Sequence, residues 1–146
     1  MSDALKHECA VAMVRLRKDL SYYKSKYGIE NYGLSRLILL LEKQHNRGQD
    51  GAGIAALHLH PEPGRPAYQL VRSAADNPLA DVLQQVGDGA ELHSELLLGH
   101  LRYATFGRYD VSCCYPFVHE STQLGRMLLL AGNFNLTTNT EMYERF

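Results

Sequence analysis

At 146 residues the chain is long enough for one domain with a sizeable core and too short for two. Its formal net charge of −1, with 45% hydrophobic and 21% charged residues, is an ordinary globular balance that offers no basic footprint for nucleic acid and no polybasic patch for a membrane. No apolar run approaches the roughly 18–20 residues of a membrane span, and Leu37–Leu41 is too short even for a signal-peptide core.

Residues 1–8 are polar and predict a short disordered lead. Residues 9–16 are apolar and β-compatible, which predicts a buried strand. From Arg17 to Tyr32 come Lys18, Lys24, Lys26 and four tyrosines around Gly28, the composition of a partly helical insertion on the surface. Leu34, Leu37, Ile38 and Leu41 then recur at helical spacing, predicting a helix over 34–44 with Ser35 or Asn31 as cap and a stop near Asn46 to Gly48. Strands are predicted over 52–59 and 67–72, joined by the turn-rich stretch from His60 to Pro66. Asn77 to Val86 reads as a short amphipathic helix with Pro78 in its first turn. Glu95 to Tyr103 and Arg126 to Ala131 read as two further buried strands. Glu141 to Phe146 looks like a helix just starting, with nothing after it to end it, so the chain reads as cut short.

Three cysteines, Cys9, Cys113 and Cys114, are an odd number without framework spacing, which favours reduced thiols and a cytoplasmic setting. Cys113, Cys114 and His119 match no common zinc spacing, so no metal site is expected and the pair reads as loop thiols, buried or half-exposed. Cys9 is different because of its position. Left within a strand it is a small buried hydrophobe. Cleavage after Glu8 would give it a free α-amine, whose pKa near ~7.7–8 makes it a competent base for the adjacent thiol.

Arg102 follows the apolar run Leu96-Leu97-Leu98 and precedes a turn ending at Gly107. It is either a surface ion-pair partner or a guanidinium placed to hold an α-carboxylate by paired hydrogen bonds, with the Thr105 hydroxyl on the same loop. Asn133 and Phe134 follow Met127–Leu130. Either Asn133 closes a turn, or its side-chain amide and the Phe134 backbone N–H form an oxyanion hole. The run Gly48 to Gly53 lacks the lysine of a phosphate-binding loop and serves equally as a tight helix-to-strand connection. His45, Asn46 and Arg47 before it are placed to support a pocket, although His45 serves equally as a helix cap.

Taken together, Cys9, Gln44-His45-Asn46-Arg47-Gly48-Gln49-Asp50, Gly99-His100-Leu101-Arg102-Tyr103 and Gly132-Asn133-Phe134-Asn135-Leu136 resemble the motifs of class II glutamine amidotransferases. Gln49 and Tyr103 tilt the resemblance towards the amidophosphoribosyltransferase branch, because relatives that aminate sugar phosphates usually carry Tyr and Trp there. Ala104-Thr105 is common to both branches. The chain departs from the pattern at Ala10, where Gly commonly follows the nucleophile, at the extra Asn46, at Gly132 in place of His, and at Phe134 in place of a Gly.

The resemblance implies an α+β fold, the four-layer αββα sandwich of N-terminal-nucleophile hydrolases, incomplete in this chain, with residues 1–8 as prosegment and 9–146 as the partial amidotransferase domain. It implies Cys9, Asn133 and Phe134 as catalytic residues, and Arg102, Thr105, Arg47 and Tyr103 as glutamine-binding residues. Ammonia released from glutamine would pass to phosphoribosyl pyrophosphate in purine synthesis. It implies no cofactor in this segment, Mg in the acceptor domain, and as partners glutamine, that missing phosphoribosyltransferase domain and, when complete, further copies of the protein. Another class II amidotransferase, a bare glutaminase, or a non-catalytic fold relative that keeps its prosegment are the competing readings.

Overall fold

The computed structural model describes residues 8–61, 63–64, 66–87, 92–105 and 109–133. The expected disordered lead, apart from Glu8, and the expected C-terminal helix lie outside these residues. Chain order gives β1 (Ala10–Arg15), α1 (Leu20–Tyr27), α2 (Tyr32–Lys43), β2 (Gly51–Leu57), β3 (Tyr68–Ser73), α3 (Pro78–Gly87), β4 (Leu96–Arg102), β5 (Phe117–His119) and β6 (Leu128–Leu130).

Strands β1 to β4 form one antiparallel sheet in the order β1-β4-β2-β3. Side chains alternate across a strand, so the register assigns each residue to a face. Leu97, Gly99 and Leu101 of β4 align with Ala10, Ala12 and Val14 of β1 and with Ala52, Ile54 and Ala56 of β2. This face packs on Leu34, Leu37 and Leu41 of α2 and on Leu79 and Val82 of α3, and their buried side chains form the core. Helix α2 comes so close that a Cβ at Gly99 would lie 2.9 Å from Leu41 Cδ1.

Helix α1 buries no side chain, as a surface insertion should. Asp19 caps it by accepting from the Tyr22 N–H at 3.0 Å. Tyr23 and Tyr27 hold it against α2 by stacking on Tyr32, with centroids 5.0 and 4.7 Å away. Helix α2 begins two residues before the expected Leu34. Asn31 occupies its N-cap without a side-chain bond, and Ser35 lies inside the helix, its hydroxyl donating to the Asn31 carbonyl.

The opposite face of the sheet carries His100 and Arg102 of β4 beside Gly51 and Gly53 of β2 and Arg72 of β3. A strap formed by residues 113–117 lies across it. A Cβ at Gly53 would fall on the Tyr115 carbonyl oxygen, so only glycine admits the strap there. The Cys114 thiol donates to the Ser73 carbonyl (3.4 Å), and Arg72 Nη1 donates to the Cys114 carbonyl (3.1 Å). The β5–β6 ribbon continues from the strap, tied by the Tyr68 hydroxyl donating to the Glu120 carboxylate.

The described residues therefore make an α+β fold of three helices, a four-stranded antiparallel sheet and a two-stranded ribbon, and no second helical layer occurs among them. The segment expected as a buried strand over 126–131 is a correction. It shortens to Leu128–Leu130, with Leu128 55% and Leu130 41% exposed, because among the described residues it pairs with β5 alone. β5 itself was not anticipated; three residues are too few to show alternation.

Candidate active site

The site gathers at the end of β4, where the strand leaves the sheet. One position beyond the Ala10–Leu101 pair, Cys9 comes opposite Arg102, and antiparallel neighbours at that separation share a face. The Tyr103 backbone N–H donates to Cys9 Sγ at 3.4 Å, and the thiol lies 3.8 Å from the Tyr103 carbonyl. Cys9 is half-buried, so its sulfur is fixed by the backbone of β4 yet reachable from solvent.

Arg102 is 5% exposed. Its burial removes the surface ion-pair reading. The guanidinium charge is felt by three neighbours on this face. It opposes protonation of His100, it helps hold the Asp110 carboxyl below its usual range after the larger contribution of hydrogen bonds from Ser112, and it partly offsets the burial that pushes the Cys114 thiol up.

Asp50, absent from the expected site residues, fixes the loop that starts here. Its backbone N–H donates to the Arg102 carbonyl and its Oδ2 accepts from the Ala104 N–H, both at 2.9 Å. Those two bonds orient Tyr103 and Thr105, which both stand exposed at the mouth of the site. Arg47 sits in the turn after α2 and pairs with Glu8, Nη2 to Oε2 at 2.7 Å. The structure thus joins Arg47 to the residue that precedes the thiol.

Asn133 follows β6 and is exposed, and the carbonyl of its neighbour Gly132 lies 3.1 Å from His100 Nε2. This contact places the strand carrying Asn133 over the face of β4 that holds Arg102. Phe134 lies outside the described residues. His100 is the second residue the sequence reading did not single out. Burial is the largest of the causes that lower its pKa from 6.5 to about 4, so the ring is neutral. A sequence signal for it exists: alternation along β4 puts His100 on the face of Arg102 and away from the leucines.

Among the described residues no cluster of three or more His, Cys, Asp or Glu is arranged to hold a metal, and no helix is long and apolar enough to cross a membrane.

No protein-family model matches the chain, and no curated protein matches it in sequence. Among solved structures it is similar to glutamine phosphoribosylpyrophosphate amidotransferase from B. subtilis, complexed with ADP and GMP, with a TM-score of 0.56 and 22% identity. The match covers 94% of this chain and 24% of that one, so the chain spans about a quarter of that protein's length. At this identity the similarity is one of fold.

Proposed function

We propose that the chain is a glutamine amidotransferase domain of the N-terminal-nucleophile type, in which Cys9 attacks the glutamine side-chain amide. The observation that carries this reading is the placement of Cys9 opposite Arg102 at the open end of β4, with the Tyr103 N–H on the sulfur. A nucleophile and a carboxylate-binding guanidinium held on adjacent strands suit a substrate with a carboxylate at one end and an amide at the other. The fold shared with the B. subtilis amidotransferase supports the same reading.

Removal of residues 1–8 frees the Cys9 α-amine, which takes the thiol proton. The thiolate adds to the amide carbon, and the oxygen that becomes negative is met by the Asn133 side chain and the Phe134 N–H. Collapse of this adduct breaks the C–N bond, the amine returns the proton, and ammonia leaves. Water then hydrolyses the glutamyl thioester to glutamate and regenerates the thiol. Arg102 grips the substrate α-carboxylate, with Arg47, Tyr103 and Thr105 lining the rest of its site. In the amidophosphoribosyltransferase reading, ammonia would pass to phosphoribosyl pyrophosphate on a separate phosphoribosyltransferase domain, where Mg would neutralise the pyrophosphate charge, in a cytoplasmic homo-oligomer.

Treatment with the glutamine mimic diazo-oxo-norleucine, followed by peptide mass spectrometry, tests this. Label on Cys9 but not on Cys113 or Cys114, in the complete protein with its N-terminus at Cys9, is the expected result, with labelling and glutaminase activity both lost in Cys9→Ala, whereas the 146-residue piece alone should react poorly. Equal labelling of all three thiols, or an active enzyme that still begins at Met1 or Ser2, overturns the assignment.

A further inference from the structure

Both ends of the β5–β6 ribbon meet at one imidazole. Tyr115, just before β5, packs its ring on His100 with centroids 4.9 Å apart, and Gly132, just after β6, presents its carbonyl to His100 Nε2 at 3.1 Å. A carbonyl oxygen only accepts, so Nε2 carries the proton and Nδ1 is a bare acceptor. That Nδ1 is buried and has no hydrogen-bond partner among the described residues. Leaving a buried acceptor unpaired is destabilising, and a leucine would fill similar space without that cost. Core packing therefore does not account for an imidazole at this position; the bond to Gly132 does.

The ribbon needs such a tie. β6 is three residues long, with two of its leucines exposed, so little buried surface sets where its end lies. Asn133 is the next residue after Gly132. His100 in turn stands rigidly on the central strand β4, two residues from Arg102 and opposite Val11, itself two residues from Cys9.

We propose that His100 is a positioning residue that fixes Asn133 relative to Cys9 and Arg102 through its bond to the Gly132 carbonyl. The inference rests on the glutamine-hydrolysing reading of the site and adds to it how the oxyanion donor is held in register with the nucleophile. A donor misplaced by about 1 Å can lose on the order of 100-fold in rate. The substrate carboxylate grip on β4 is untouched by such a shift.

The test compares His100→Leu, which removes the donor, with His100→Gln, whose amide N–H₂ reaches the place of Nε2, both in the full chain and checked for folding by circular dichroism. Nitrogen-detected NMR of the wild type should show the Nε2–H tautomer, and the Asn133 amide signals should move or broaden in His100→Leu and stay near their wild-type positions in His100→Gln. Glutamine hydrolysis should show kcat reduced roughly 10- to 100-fold in His100→Leu with KM within about twofold, and restored towards wild type in His100→Gln. Unmoved Asn133 signals in His100→Leu, or moved signals with unchanged kcat, overturn the proposal. If the signals behave as expected but the wild type hydrolyses no glutamine, the tie stands and the glutamine reading is what falls.

Discussion

Arg102 shows how far one side chain can be read before its neighbours are known. As the last residue of a leucine-rich strand it is open to two readings, a solvated ion pair or a ligand grip, and its 5% exposure removes the first. A guanidinium this buried is retained only with partners for its donors. Replacing it with lysine keeps the charge and loses the planar pair of hydrogen bonds. Each charge-assisted bond is worth about 1.5–3 kcal/mol, so Arg102→Lys should raise the glutamine KM at least roughly tenfold while ammonia-dependent synthesis by the complete protein is little affected. Steady-state kinetics with both nitrogen donors checks this, and an unchanged glutamine KM would remove Arg102 from the substrate site. Arg47 is a different case: its ion pair with Glu8 leaves both side chains nearly half exposed, so it contributes little to stability. Its interest is geometric, because Glu8 carries the carbonyl of the bond whose cleavage the proposed function requires.

At the scale of elements, the helices and the central strands follow from periodicity, and the strap over the open face does not. α2 and α3 show their apolar stripes in sequence, and β4 shows its leucine run. The strap of residues 113–117 has neither pattern and is held by a few specific contacts: the Cys114 thiol on Ser73, Arg72 on the Cys114 carbonyl, and Gly53 beneath Tyr115. A methyl group at Gly53 would strike backbone, which cannot swing away as a side-chain tip can. Gly53→Ala should therefore cost about 1–3 kcal/mol, measured by urea unfolding, and should raise hydrogen exchange across 115–132 while the β1–β4 pairing keeps its protection. Gly87→Ala, where a Cβ meets nothing within 4 Å, is the matched control and should leave both measurements nearly unchanged. Equal protection of the strap in both variants would show that the contact at Gly53 does not govern its docking.

For the whole molecule, His100 lies where the two sheets join, and its ionisation links their association to pH. The unfolded ring binds a proton near 6.5 and the folded ring only near about 4. Between those values the unfolded chain holds more protons, so stability rises with pH across this window. The contribution is complete above about pH 6.5 and is lost as pH falls towards 4, with a total of about 3 kcal/mol. Thermal unfolding should show Tm climbing from pH 4 to pH 7, with that part of the slope missing in His100→Gln. The same slope in both proteins would assign the effect to other groups.

The sequence by itself determined the α+β composition, the helices and the central strands within one to two residues, and it carried the cysteine and arginine as candidates. These are properties of local periodicity and residue chemistry, which a linear string carries directly. Three matters were left to the tertiary structure: that Cys9 meets the Tyr103 N–H, that Asp50 shapes the loop bearing Thr105, and that His100 gathers both ends of a weakly patterned ribbon. Each pairs residues from 15 to 94 positions apart. Strand register sets the first. The other two depend on side chains reaching from the sheet to segments that leave it, so they exist only once the sheet has formed.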